Sequence, residues 1–217
     1  MAGTPSVTLE LPEILIDNPG GQMQGLRAVL QLAAKHGYEY THTHLVTRLA
    51  LQLFDELTGI HRLKPQARFY LTCGAILHDI AKGAGESHYK RVLQIVMNAP
   101  ELPFDLTTRR IIGLVARYHR KASPSTKHSE FALLDAELRQ VVTGLAAILR
   151  IADGLDCQRV NIVNGLHCVV AETCVRVHCR AAGTIPNETH LLIESKVERK
   201  SVLFEQVFNR SLRISWS

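Results

Sequence analysis

Four segments of this chain carry a histidine or an aspartate at the end of an apolar, helix-spaced stripe. In "THTHLVTRLALQLF" His42 stands four and seven residues before Val46 and Leu49, and in "LTCGAILHDIAKG" Leu71 and Ala75 lead to His78, with Asp79 next to it. In "IIGLVARYHRK" Ile111 and Val115 lead to His119, and in "LAAILRIADGLD" Leu145 and Leu149 lead to Asp153. That spacing keeps side chains on one helix face, so each polar group is placed at a buried position. A buried imidazole, and far more a buried carboxylate, costs free energy unless something pairs with it. Any one of these histidines taken singly reads as a hydrogen-bonded core residue. A bound divalent cation satisfies the whole set at once. Mixed imidazole and carboxylate donors without thiolate suit Mn, Fe, Co, Ni or Zn better than calcium or copper(I).

Positioning these groups requires helices, and the spacing predicts them over residues 22–35, 41–57, 65–81, 88–98, 106–121 and 135–155. Gly83 marks the end of the third, and the Pro- and Ser-containing "RYHRKASPSTKH" is a loop before the last. Residues 1–20, with two prolines and an Asn-Pro-Gly-Gly punctuation, read as a lead-in segment, and 21–158 as the helical domain. Past residue 158 the style changes. "VNGLHCVVAETCVRVHCRA" and "THLLIESKV" read as strands, "ERKSVLFEQVFNRS" as a helix and "LRISW" as a last strand, so residues 159–217 form a small α+β subdomain. The fold class expected is mainly α, a helical bundle with that appendage.

The bulk numbers agree with a folded, soluble chain. Of 217 residues 46% are apolar and 21% charged, which excludes extensive disorder. No apolar stretch approaches the length of a membrane span, and the amino-terminal residues lack a signal-peptide pattern, so a cytoplasmic location and no membrane partner are expected. The five cysteines form no Cys-x-x-Cys pair and read as free thiols. A formal charge of +5 and a pI near 9.1 favour an anionic partner. No recognition motif or aromatic-interleaved basic stripe accompanies that charge, which argues for a small phosphorylated ligand and against nucleic acid. An all-helical bundle with a β appendage also leaves room for a homodimer.

The series resembles the HD superfamily of metal-dependent phosphohydrolases, whose pattern is a histidine, a His-Asp pair, further histidines and a distal aspartate. The quoted segments, with "SHYKRVLQIVMNAPELPF", are more closely similar to the C-terminal HD region of the exopolyphosphatase and guanosine-pentaphosphate phosphatase family, over residues 22–170. The resemblance implies an HD-type bundle. It implies a principal metal site of His42, His78, Asp79 and Asp153, with His88 and His119 placed for a second metal or for substrate, and Asp79 able to bridge. "THTH" offers His44 as well, but counting back from "LALQLF" selects His42. In that family the region follows an actin-like pair of domains with its own phosphatase site. These 217 residues hold neither those domains nor their glycine-rich loops, so exopolyphosphatase activity is not carried over.

The chemistry implied is attack of a metal-activated water on phosphorus, in a phosphoester or phosphoanhydride of a nucleotide-like compound. Asp79 and Lys82 are the catalytic candidates, Lys82 by neutralising the transferring group. Lys82, Arg117, Arg120 and Lys121 are the candidates for gripping phosphate oxygens, with Arg159 a further one. The competing reading is a non-catalytic or regulatory HD module that binds polyphosphate or a nucleotide.

Overall fold

The computed structural model describes residues 21–81 and 88–216. Its amino-terminal part is a helical bundle: α1 (Gly21–Lys35), α2 (Tyr40–Glu56), the one-turn α3 (Thr58–His61), α4 (Gln66–Leu77), α5 (His88–Met97), α6 (Leu106–Arg117), the one-turn α7 (Ser129–Ala132) and α8 (Ala136–Leu155). Then follow β1 (Val163–Val170), β2 (Cys174–Ala181), α9 (Asn187–Phe208) and β3 (Ser211–Trp216). The architecture is mainly α with a small α+β portion at the carboxyl-terminal end. Among the described residues no helix is long and apolar enough to cross a membrane, and all five cysteines are free.

Two hydrophobic clusters fill the molecule. The larger joins α2, α8 and one face each of α4 and α6 to the sheet and α9; the smaller lies between α1, α5 and the opposite faces of α4 and α6. Helices α4 and α6 therefore run through the middle, each buried on both sides. Their close approach depends on Gly74, where a Cβ would lie 2.6 Å from Val115 Cγ1. With the Val115 side chain seated directly on the α4 backbone at Gly74, the two helices can end side by side, which is what their carboxyl ends require.

The strand order is β1-β2-β3, with β1 antiparallel to β2 and β2 parallel to β3. Helix α9 is the connection that a parallel pair needs. The outer edge of β1 is covered by side chains of α2. Arg48 donates to the carbonyls of Asn164 and Val163, Gln52 both donates to Leu166 O and accepts from Leu166 N, and Glu56 accepts from Cys168 N. Four residues of helix rise about 6 Å and two residues of strand about 6.7 Å, so the two repeats run nearly in step. The α+β portion is thereby clamped to the helix that carries His42.

The expected strand at "THLLIESKV" is wrong, because these residues form the first half of α9. Pro186 occupies the N-cap, Glu188 lies in the first turn, and Ile193, Val197, Ser201, Phe204 and Phe208 are buried at helical spacing. The β-branched look of the segment was outweighed by that longer stripe. The expected lead-in, residues 1–20, lies outside the described residues.

Candidate metal centre

The polar ends of four helices meet at one point. His42 sits in the first turn of α2, His78 and Asp79 directly follow α4, His119 lies two residues past α6, and Asp153 is in the last turn of α8. All three imidazoles are buried, His78 and His119 completely. The rings of His42 and His78 are 5.2 Å apart between centroids, and those of His78 and His119 5.0 Å.

The histidines are held by their Nδ1 atoms. His78 donates Nδ1–H to Ala75 O at 2.6 Å, and His119 makes the same bond to Ala116 O at 2.6 Å. His42 Nδ1 is 2.7 Å from Asp156 Oδ2. Each partner is an oxygen that can only accept, so Nδ1 carries the proton, and in the neutral ring Nε2 presents a lone pair. This is the outer-shell arrangement that orients histidine ligands toward a metal.

The Nε2 atoms of His42 and His78 are 3.3 Å apart. Two lone pairs at that distance repel unless a proton or a cation lies between them. Around them are Asp153 Oδ1, at 3.5 Å from His42 and 3.9 Å from His78, and Asp79 Oδ2, at 4.0 and 3.8 Å. Donor atoms of His42, His78 and Asp79 all lie within 4.8 Å of one another. Ligands about 2.1 Å from a tetrahedral ion lie about 3.4 Å apart, so the set needs only a small contraction to hold one. Asp79 Oδ1 points the other way, 3.6 Å from His119 Nε2. The donor chemistry therefore fits a divalent transition metal.

The electrostatics are those of a site built for positive charge. Burial lowers His42, but the carboxylates of Asp153 and Asp156 outweigh it and bring its pKa up to about 9. Burial takes His119 down to about 3 and lowers His78. Burial would raise Asp79, yet the imidazoles of His78 and His119 and the bond from Arg159 hold it below the usual carboxylate range; of these only Arg159 is fully charged at neutral pH. Asp153, half-buried, would be raised by desolvation but is held low chiefly by Lys200.

A cleft of about 390 Å³ opens onto this centre, lined by His42, Asp153, Asp156 and Cys157 and by six cations: Arg120 and Lys121 after α6, Arg159 after α8, and Lys196, Arg199 and Lys200 on α9. Arg159 bonds Asp79 and Glu39, and Lys200 bonds Asp153. Arg120 and Lys121, expected to face phosphate, are at the cleft. Arg117 is not among its lining residues; its guanidinium lies 5.5 Å over the Tyr118 ring. His88 begins α5, but its side chain lies outside the described residues, as does Lys82.

Five contributors were not singled out from the sequence. Asp156 follows Asp153 by three residues, a helical spacing that could have marked it. Its Oδ1 also accepts from Asn161 N, so one carboxylate ties His42 to the turn that carries Arg159. Lys196, Arg199 and Lys200 sit within one turn of α9; Lys196 fell in the segment expected to be strand, and Arg199 and Lys200 in the segment expected to be a helix, where nothing local marked them. Arg150, buried on α8, donates to the carbonyls of Tyr118, Lys121 and Ala122, fixing the turn that bears His119 and Arg120.

The family model described as Ppx/GppA phosphatase, domain III, matches residues 26–201. No curated protein matches the chain.

Proposed function

The chain belongs to the Ppx/GppA phosphatase domain III family, and from that premise we propose that it is a metal-dependent phosphohydrolase of the HD type, acting on a small, nucleotide-like phosphorylated compound. The observation that carries this reading is the pair of buried Nε2 atoms of His42 and His78, 3.3 Å apart and flanked by two carboxylates, beside a cationic cleft that His42 and Asp153 line.

In this reading His42, His78, Asp79 and Asp153 hold a divalent cation, whose chemistry is to polarise a phosphoryl oxygen and bring a water's pKa toward neutrality. Asp79 reaches His42 and His78 through one oxygen and His119 through the other, the disposition of a bridging ligand if His119 and His88 serve a second ion. Arg120 and Lys121 take phosphate oxygens at the rim, and Lys82 neutralises the group in transfer. Asp156 keeps His42 in the tautomer that offers Nε2.

The test is elemental analysis of protein purified without chelator or affinity metal, beside Asp79→Ala, with phosphate release measured over a panel of nucleotides and pyrophosphate. Near-stoichiometric metal and phosphate release, both lost in the variant, are expected. A wild-type protein that takes up no metal, even after incubation with manganese, ends this reading. Metal without hydrolysis would favour a binding module for a nucleotide or polyphosphate, which the cationic lining of the cleft also suits.

A further inference from the structure

Helix α9 supplies an anion subsite, and its Lys200, with Arg159, plays two parts in turn. We propose that Arg159 and Lys200 neutralise Asp79 and Asp153 only until a divalent cation does so, and that they then turn to a phosphate-bearing anion in the cleft, so that metal and anion bind cooperatively. This rests on the metal centre proposed above.

The charges argue for it. Asp79 and Asp153 lie on either side of the same imidazole pair, and each bonds one cationic side chain, Arg159 or Lys200. That arrangement is already balanced. A divalent cation bound by the same carboxylates leaves a surplus of positive charge, which a phosphate anion matches. Without the metal the two cations are committed and the anion meets a weaker field.

The geometry allows the exchange. Lys200 reaches Asp153 because α9 crosses α8 at Gly154, where a Cβ would lie 3.1 Å from Val197 Cγ2 and 3.3 Å from Lys200 Cδ. Arg159 stands in a left-handed turn with φ 58°. Both side chains are long and partly exposed, at 14% for Lys200 and 24% for Arg159, so each can swing from carboxylate to cleft. Arg120, Lys196 and Arg199 line the same cleft and pair with no carboxylate among the described residues, which gives the anion further partners.

Calorimetry on the full chain tests this with Mn²⁺ alone, and with inorganic phosphate before and after Mn²⁺ loading. Phosphate should bind the loaded wild type about tenfold more tightly than the metal-free protein, and phosphate should tighten Mn²⁺ by the same factor. Lys200→Met should have effects of opposite sign: Mn²⁺ binding tighter by about tenfold, and phosphate binding to the loaded protein weaker by about tenfold. A lysine with a merely structural role would weaken Mn²⁺ binding when removed. Arg159→Met, expected to show the same two signs, serves if the first variant fails to fold. Mn²⁺ binding with no effect on phosphate, or Mn²⁺ weakened in both variants, overturns the exchange and leaves the metal centre standing. Absence of Mn²⁺ binding in the wild type overturns both.

Discussion

The histidines of the bundle and those of the sheet have the same side chain and opposite surroundings. His42, His78 and His119 are buried, each with Nδ1 bonded to an oxygen. His167 and His178 face each other across the β1–β2 ladder, and His178 shares a hydrogen bond of 2.7 Å with Ser215 while the exposed His167 lies 3.0 Å from Glu56. Adjacent histidines are thus not sufficient for a metal centre. What distinguishes the bundle is burial, which keeps His78 and His119 neutral, and a bond at each Nδ1 that leaves Nε2 turned toward carboxylates, where water cannot satisfy it.

The largest expected effect on this contrast comes from removing an aiming bond. Asp156→Ala should weaken metal binding about 10- to 100-fold while leaving all four proposed ligands in place, as read by titration with Mn²⁺ or Zn²⁺. A change below about twofold would mean that the ligands alone make the site.

Metal-stripped protein sharpens the contrast through pH. Burial depresses His78 and His119, the latter to about 3, so the unfolded chain takes up their protons first. Stability held above about pH 6.5 should fall by about 1 kcal/mol per histidine over the next unit down. His42, raised to about 9, has the opposite sign: its contribution is nearly whole below about pH 6.5 and is lost progressively as pH rises from there through 9. Chemical denaturation at pH 6.5 and 5.5 in EDTA measures the difference, and equal stability at both would contradict neutral rings at His78 and His119.

The smallest effect belongs to the sheet. His178→Ala should change stability by no more than about 0.5 kcal/mol and leave metal content untouched, because its partner Ser215 can turn to water. Metal loss in that variant would erase the distinction between the two regions.

Much of this was legible in the chain. Helical stripes ending in His42, His78, His119 and Asp153 were readable because a buried face repeats every three to four residues and a polar group at its end stands out. The helix ends were less so: α4 and α6 stop before residues expected to lie within them, and His78 and His119 each bond a carbonyl of the last turn instead. The first half of α9 was misread because Ile, Leu and Val suit either state over so short a span. With it went Lys196, while Arg199 and Lys200, in the segment read as a helix, carried no local sign that they would reach the site.

The sequence by itself determined which residues are buried on each helix and that those stripes end in metal-competent groups, since both follow from local periodicity and the cost of burying charge. Only the tertiary structure decided that the four ends coincide, that Asp156 aims His42, and that α9 brings its cations over the cleft. Those are contacts between residues 36 to 120 positions apart. They depend on close approaches such as Gly74 against Val115 and Gly154 against Val197, which no local pattern encodes.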